Sequence, residues 1–279
     1  MAMQFNYFSK NGEILSIDQA TIPLSNIEYS YGFGVYENLK VRHGIVYFVS
    51  QHIQRLLNSA KSIGLTHEFT KEAITTYITE LIEKLDLKEP ENACNLKLVL
   101  IGGREPQLFI MALAPYFPDR KVYVEGAKMI TVHYERQFPN AKTLNMLPSY
   151  LAYKKAQEQE CYDALLVSQE GVILEGTRTN FFVIKGTDVF TAPKEAVLEG
   201  VTRQTVIHVA KQMGLEIHEA GVPLAQLTDY DGAFVTSTSA KIVPIRQIDE
   251  KNFQIPEKLK ELMQAYDTFL KESHGVFAE

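Results

Sequence analysis

The residue types with most chemistry to offer lie in short stretches spread along the chain. In Ala141-Lys142-Thr143-Leu144-Asn145-Met146-Leu147-Pro148, a lysine falls where an extended segment gives way to a helix. Such a lysine is either a solvated charge or a covalent anchor, because its amine is a nucleophile once neutral. Leu198-Glu199-Gly200-Val201-Thr202-Arg203 places a glycine and then Thr202 at the start of an amphipathic helix. Unpaired N–H groups and the helix dipole there favour an anion such as phosphate, although a plain threonine cap reads the same way. Thr236-Ser237-Thr238-Ser239, ending an expected strand, offers hydroxyls and turn N–H groups to a second oxyanion, or is simply a polar loop. Glu175 opens the turn Glu175-Gly176-Thr177-Arg178-Thr179-Asn180 between two apolar runs, so its carboxylate either reaches inward or faces water.

Positioning these groups falls to elements that periodicity reveals. Residues 5–8 and 13–16 flank Asn11-Gly12, a pair that favours a tight hairpin turn. From Val35 to Arg42 the side chains alternate: Val35, Glu37, Leu39 and Val41 share one strand face, and Tyr36, Asn38, Lys40 and Arg42 the other. The second face is either solvated or the wall of a pocket. His43-Gly44 turns the chain back along 45–49. Ser50 is placed to cap a helix in which Ile53, Leu56, Leu57, Ala60 and Ile63 keep helical spacing until Gly64; His52 and Arg55 lie three apart beside that stripe. A second helix over 71–85 precedes strands over 96–101 and 108–114, joined by the turn Gly102-Gly103-Arg104-Glu105-Pro106.

Pro115-Tyr116-Phe117-Pro118-Asp119-Arg120, with its bracketing prolines, reads as a link between domains. Beyond it, strands at 129–133, 164–168, 181–184, 189–191 and 232–236 alternate with helices at 150–160, 202–213 and 256–273. The pattern predicts an α/β fold: a small N-terminal α/β domain over 1–118, a linker over 119–127 and a larger C-terminal α/β domain over 128–279.

Composition narrows the classes of partner. The chain has 279 residues, 46% of them hydrophobic and 22% charged, as in ordinary globular proteins. A formal charge of -6, without a dense basic cluster, argues against nucleic acid. The sequence has no apolar run long enough to span a membrane, and Met1-Ala2-Met3-Gln4-Phe5-Asn6 is not spelled like a secretory leader; a cytoplasmic protein is expected. Cys94 and Cys161 are the only cysteines and follow no metal-ligand spacing, so neither a disulfide framework nor a metal site is expected.

Several motifs, taken together and in order, resemble one family. They are Tyr31-Gly32-Phe33-Gly34-Val35-Tyr36-Glu37, His52-Ile53-Gln54-Arg55-Leu56, Lys142-Thr143-Leu144-Asn145, Glu175-Gly176 with Asn180, Leu198-Glu199-Gly200-Val201-Thr202-Arg203 and Phe234-Val235-Thr236-Ser237-Thr238-Ser239. The set resembles the class IV, fold type IV family of pyridoxal 5'-phosphate enzymes, which includes branched-chain aminotransferases, D-amino acid aminotransferases and aminodeoxychorismate lyases. The resemblance runs from about Gly12 to Ile248. It implies that Lys142 forms the Schiff base with the cofactor and shuttles the substrate's proton, and that Glu175 faces the pyridine nitrogen. It also implies that Arg55, Val201, Thr202 and Thr238, with Ser237 beside them, hold the phosphate, and that Leu198 packs on the ring. A homodimer is implied as well, with Tyr31 and Phe33 shaping a substrate pocket to which Tyr36, Lys40 and Ser239 also belong. The expected activity is transfer of an amino group between an amino acid and a 2-oxo acid.

The substrate positions depart from each familiar member. The tyrosine and arginine of the branched-chain enzymes fall at Cys94 and Leu96, or at Asn95 and Lys97 if the match slips by one, and Met146 stands where they have another tyrosine. The arginine and histidine of the D-amino acid enzymes fall at Gln107 and Phe109. Arg104 and Arg178 are therefore candidate carboxylate clamps, since a guanidinium grips a carboxylate with two parallel hydrogen bonds. Two alternatives remain open: a lyase releasing pyruvate and 4-aminobenzoate with the same lysine, and a cofactor-binding protein without catalysis, against which the joint presence of Lys142 and Glu175 argues.

Overall fold

The computed structural model of the chain describes residues 5–87, 93–115 and 118–273, and these divide into two compact units. Residues 1–4, and Tyr116 and Phe117 of the anticipated link, lie outside the described residues.

The first unit holds the described residues up to Pro115, together with Ala141–Met146 and Ser273. Its elements are β1 (Tyr7–Lys10), β2 (Glu13–Ser16), α1 (Ile27–Ser30), β3 (Gly34–Arg42), β4 (Ile45–Val46), α2 (Val49–Ser62), α3 (Lys71–Lys84), β5 (Cys94–Ile101) and β6 (Gln107–Leu113). The strands form an antiparallel six-stranded sheet in the order β2-β1-β6-β5-β3-β4. The alternation in β3 is realised: Val35, Leu39 and Val41 are buried in one core with Ile53, Leu56 and Ala60 of α2 and Ile74, Ile78 and Leu81 of α3. Tyr36 faces the other way, half-buried against a second cluster that contains Val99, Ile101 and Phe109. The turn after β3 uses two left-handed residues, His43 at φ 53 and Gly44 at φ 70, the backbone that a tight hairpin requires.

Helix α2 starts two residues earlier than expected. Its N-cap is Phe48, left-handed at φ 54 and without a side-chain cap, so Ser50 lies inside the first turn and does not cap it. The reason is the brevity of β4: the chain must reverse within Tyr47-Phe48, and the Phe48 carbonyl already accepts from the His52 N–H at 3.0 Å. Helix α3 is capped through its side chain, Thr70 Oγ1 accepting from the Ala73 N–H.

Ala141–Met146 joins the first unit by backbone pairing along β3. Tyr36 N–H donates to the Lys142 carbonyl and Leu144 N–H to the Gly34 carbonyl, both at 2.9 Å, with Val35 and Thr143 as antiparallel partners. The sequence reading leaves this segment in the larger domain, because nothing local announces a strand pairing with residues so distant along the chain.

The second unit comprises α4 (Arg120–Glu125), β7 (Ala127–His133), α5 (Leu147–Glu158), β8 (Asp163–Val167), β9 (Val172–Gly176), β10 (Asn180–Lys185), β11 (Asp188–Thr191), α6 (Val201–Gln212), β12 (Glu216–His218), β13 (Val222–Pro223), β14 (Gly232–Ser237), β15 (Lys241–Ile248), β16 (Lys251–Asn252) and α7 (Glu257–Glu272). The stretch 119–127, read as a linker, thus holds α4 and the first residue of β7. The strands run in the order β12-β11-β10-β14-β15-β7-β8-β9-β13, with β16 beside β15. One further pair, Asn180 with Glu175, joins β10 back to β9 and closes a ring of strands around a core that includes Leu165, Phe181, Val183, Val235 and Ile245. That closure fixes Glu175 directly across from Asn180.

Gly34 makes the Ala141–Met146 pairing possible. A Cβ there would lie 2.7 Å from both the Leu100 carbonyl oxygen and Leu144 Cδ1. Gly34→Ala is expected to destabilise the protein by about 2 kcal/mol, as overpacked core positions do, and urea unfolding of the variant measures it.

Candidate active site

Lys142 is held by its backbone on two sides. Its N–H donates to Ser59 Oγ of α2 at 3.1 Å, and its carbonyl accepts from Tyr36 as described above. Lys142 and Tyr36 are cross-strand neighbours on one face, so the ammonium lies 4.6 Å from the Tyr36 ring centroid. The Tyr36 hydroxyl in turn donates to Met146 Sδ at 3.6 Å. The sequence reading found Lys142 and Tyr36 but missed Ser59, an unremarkable serine until the helix buries it beside this segment.

On the opposite face of β3, Glu37 is fully buried. Arg55 grips it with Nε to Oε1 at 2.6 Å and Nη2 to Oε2 at 2.8 Å, and His52 Nδ1 lies 2.8 Å from Oε2. Burial pushes the Glu37 carboxyl up, but the Arg55 charge and the hydrogen bonds from Arg55 and His52 outweigh it and hold the group well below the usual carboxylate range. Burial lowers the His52 pKa against the pull of Glu37; Nδ1 faces the Glu37 carboxylate, and buried Nε2 is without a partner. His52 and Arg55, read from the sequence only as neighbours three apart on one side of the helix, are thus both aimed at one carboxylate, which Glu37 supplies from the core face of β3.

In the second unit Glu175 is 5% exposed. Its Oε1 accepts from Arg136 Nε at 2.7 Å and its Oε2 from the Leu198 N–H at 3.2 Å. Arg136 also donates to the Pro139 carbonyl, which ties the pair to the loop after β7. Sequence reasoning missed Arg136, an arginine in an irregular stretch with no periodicity to mark it. Asn180 Nδ2 donates to the Leu198 carbonyl at 2.7 Å, so the β9–β10 closure fixes both sides of the Leu198 peptide.

Helix α6 begins at Val201 with Gly200 as N-cap and no side-chain cap. Thr202 is therefore inside the first turn and not the cap; its side chain bonds Tyr266 of α7. Only glycine fits at 200, since a Cβ would meet Asn180 Oδ1 at 2.2 Å. Ser237 ends β14, and its hydroxyl accepts from the Ala240 N–H; Thr238 and Ser239 form the half-buried turn into β15. The Thr236 hydroxyl is buried without a partner. Uncapped helix N–H groups and clustered hydroxyls suit a phosphate, and a buried carboxylate with a charged partner suits a protonated ring nitrogen, so the donor set fits pyridoxal 5'-phosphate.

The remaining residues singled out by sequence are dispersed. Tyr31 is 80% exposed at the end of α1, while the Phe33 ring packs toward the first unit's core beside Gly102. Lys40 lies over the Tyr47 ring, and Arg104 is exposed in its turn. Arg178 is also exposed, its guanidinium stacked 4.2 Å from the Tyr153 centroid. Asp188, Glu216 and His218 gather at the β11–β12 edge, where His218 pairs with Asp188 at 2.6 Å and stacks on Phe190.

Residues 34–248 match the amino-transferase class IV family. The chain belongs to that family, whose members use pyridoxal 5'-phosphate to transfer amino groups, and its fold is type IV. It is similar to the D-alanine aminotransferase of Bacillus licheniformis, at 30% identity over 251 residues covering 86% of this chain and 87% of that one. It is equally similar to a putative branched-chain-amino-acid aminotransferase of Methanocaldococcus jannaschii, at 30% identity over 276 residues covering 92% and 93%. The crystal structure of a branched-chain aminotransferase from Thermoproteus uzoniensis with norvaline superposes with a TM-score of 0.88 at 25% identity, covering 98% of this chain and 97% of that one.

Glu37→Gln leaves the Arg55 charge without its buried counterpart and is expected to cost about 3 kcal/mol. The Glu37 pKa is depressed on folding, so its contribution is complete above the unfolded value of about 4.3 and fades as pH falls below it. The stability gap between wild type and Glu37→Gln, measured by urea unfolding, should therefore be widest near neutrality and narrow steadily in acid.

Proposed function

We propose that this aminotransferase uses Lys142 as its catalytic residue and that Arg55, Glu175, Leu198, Val201, Thr202, Ser237 and Thr238 hold pyridoxal 5'-phosphate. The observation that carries the reading is the Lys142 amine, presented over the Tyr36 ring by a backbone that is bonded on both sides. When bound, the cofactor supplies an electron sink for the charge left at the substrate's α-carbon. Lys142 Nζ takes the proton from that carbon and returns one to the product side, a transfer suited to a positioned amine. Arg136 and the Leu198 N–H hold the two oxygens of Glu175 in place, so that it can pair with a protonated ring nitrogen. The uncapped N-terminus of α6 offers its N–H groups to the phosphate.

The substrates are an amino acid and a 2-oxo acid, of the D-amino acid or branched-chain type that the relatives' names carry. The chain works as a homodimer. Supporting this, Leu24 is wholly exposed and Ile27 and Tyr31 largely so, beside a cavity of about 380 Å³ lined by Ile22, Pro23, Leu24, Tyr29, Ser30 and Leu144. Free Cys94 and Cys161, the Cys94 thiol pushed by burial to about 11, suit the reducing cytoplasm, and no helix among the described residues is long and apolar enough to cross a membrane.

Two outcomes are expected. Holoenzyme mixed with amino acids should give the spectral change of the half-reaction, and Lys142→Ala should lower kcat by about a thousandfold or more while the protein still unfolds cooperatively. Sedimentation should give twice the 31.6 kDa chain mass, with Leu24→Glu shifting the protein toward one chain.

A further inference from the structure

We infer that Tyr266 of α7 is a positioning residue for the cofactor's phosphate, acting through the Thr202 hydroxyl; the inference rests on the reading in which Thr202 holds that phosphate. Helix α7 packs on α6 and buries Leu259, Leu262, Tyr266 and Leu270 in a stripe at helical spacing. Tyr266 is 3% exposed, and its hydroxyl shares a hydrogen bond with the Thr202 side chain in the first turn of α6. Two neighbours fix the register of this contact. Asp267 accepts from Lys241 Nζ at 2.6 Å, just past the turn that carries Thr238, and the Phe269 ring meets His208 edge to face with centroids 5.6 Å apart. Adjacent residues of one helix thus reach both elements assigned to the phosphate, the start of α6 and the β14–β15 turn.

The chemistry of the two hydroxyls decides what Tyr266 does. A phenol buried this deeply keeps its proton, since burial pushes its pKa up, and a buried O–H needs an acceptor for that proton. Thr202 Oγ is the partner, and a hydroxyl that accepts one hydrogen bond still has its own hydrogen to donate. Thr205, three residues on, donates its hydrogen back to the Val201 carbonyl at 2.9 Å, within the helix. Thr202 is instead held from behind by Tyr266, with its own hydrogen turned away from α7. The uncapped N–H groups of the same turn favour an anion, so a phosphate bound there meets an oriented hydroxyl as well.

Titration of the full chain, freed of cofactor, tests this with two ligands: pyridoxal 5'-phosphate, and pyridoxal, which lacks the phosphate. Tyr266→Phe removes one hydroxyl and should weaken pyridoxal 5'-phosphate binding about fivefold or more while leaving pyridoxal binding unchanged. In a Thr202→Val background the same change should add no further loss, because the hydroxyl through which Tyr266 acts is gone. Equal weakening of both ligands, weakening of neither, or an additive loss in the double variant overturns the inference. Thr202→Val alone tests the underlying reading: if it binds pyridoxal 5'-phosphate as wild type does, Thr202 does not hold the phosphate and that reading fails. If Thr202→Val loses phosphate-dependent affinity and Tyr266→Phe does not, only the role of Tyr266 falls. Should Tyr266→Phe not fold, 3-fluorotyrosine at position 266 gives the comparison from the other side. Its more acidic phenol donates more strongly and polarises the Thr202 hydroxyl, so the preference for the phosphate-bearing ligand should rise, and an unchanged preference overturns the inference.

Discussion

The first unit depends on one backbone pairing: residues 142–144 laid along the free edge of β3. Two hydrogen bonds of 2.9 Å carry it, one from the Tyr36 N–H to the Lys142 carbonyl and one from the Leu144 N–H to the Gly34 carbonyl. Because side chains alternate along a strand, this register alone decides that Lys142 and Tyr36 share a face. A slip by one residue would turn the amine toward the helices and present Thr143 in its place. Gly34, with no room for a Cβ, and Ser59, which receives the Lys142 N–H, both guard the register.

Each unit also keeps one buried carboxylate beside a guanidinium. Glu37 with Arg55 and His52 lies behind β3, and Glu175 with Arg136 lies where β9 meets β10. Burying such groups is costly unless every lone pair is met, and here each carboxylate oxygen is met by at least one donor. The consequence for Arg55 is orientation. A guanidinium gripped bidentately by Glu37 cannot swing, so whatever it binds meets a fixed fork. For Glu175 the consequence is likewise position: Arg136 and the Leu198 N–H each hold one of its oxygens.

Elements with a clean period were legible in the sequence. The alternation of β3, the stripes of α2 and α7 and the turn chemistry of Asn11-Gly12 and His43-Gly44 each report a local preference that packing then respects. What escaped notice was set by partners distant in sequence. Strand β15 contains Pro244, which argues against a strand when read alone, yet it pairs with Phe234 of β14. Helix α4 is too short to show a stripe, and the left-handed Phe48 displaced the cap expected at Ser50. Among the candidate site residues, Lys142, Glu175 and Arg55 were visible only as an ordered set of motifs. Arg136 and Ser59 were invisible because a lone arginine and a lone serine carry no signal until the fold sets them against Glu175 and Lys142.

The proposed chemistry turns on a single amine, and a covalent label reads it directly. Borohydride reduction of the holoenzyme followed by peptide mass mapping should place the whole cofactor mass on the peptide that contains Lys142. Wild-type label on Lys154, Lys155 or Lys97 instead, or undiminished label in Lys142→Ala, would contradict the claim that the β3 pairing builds the reactive position.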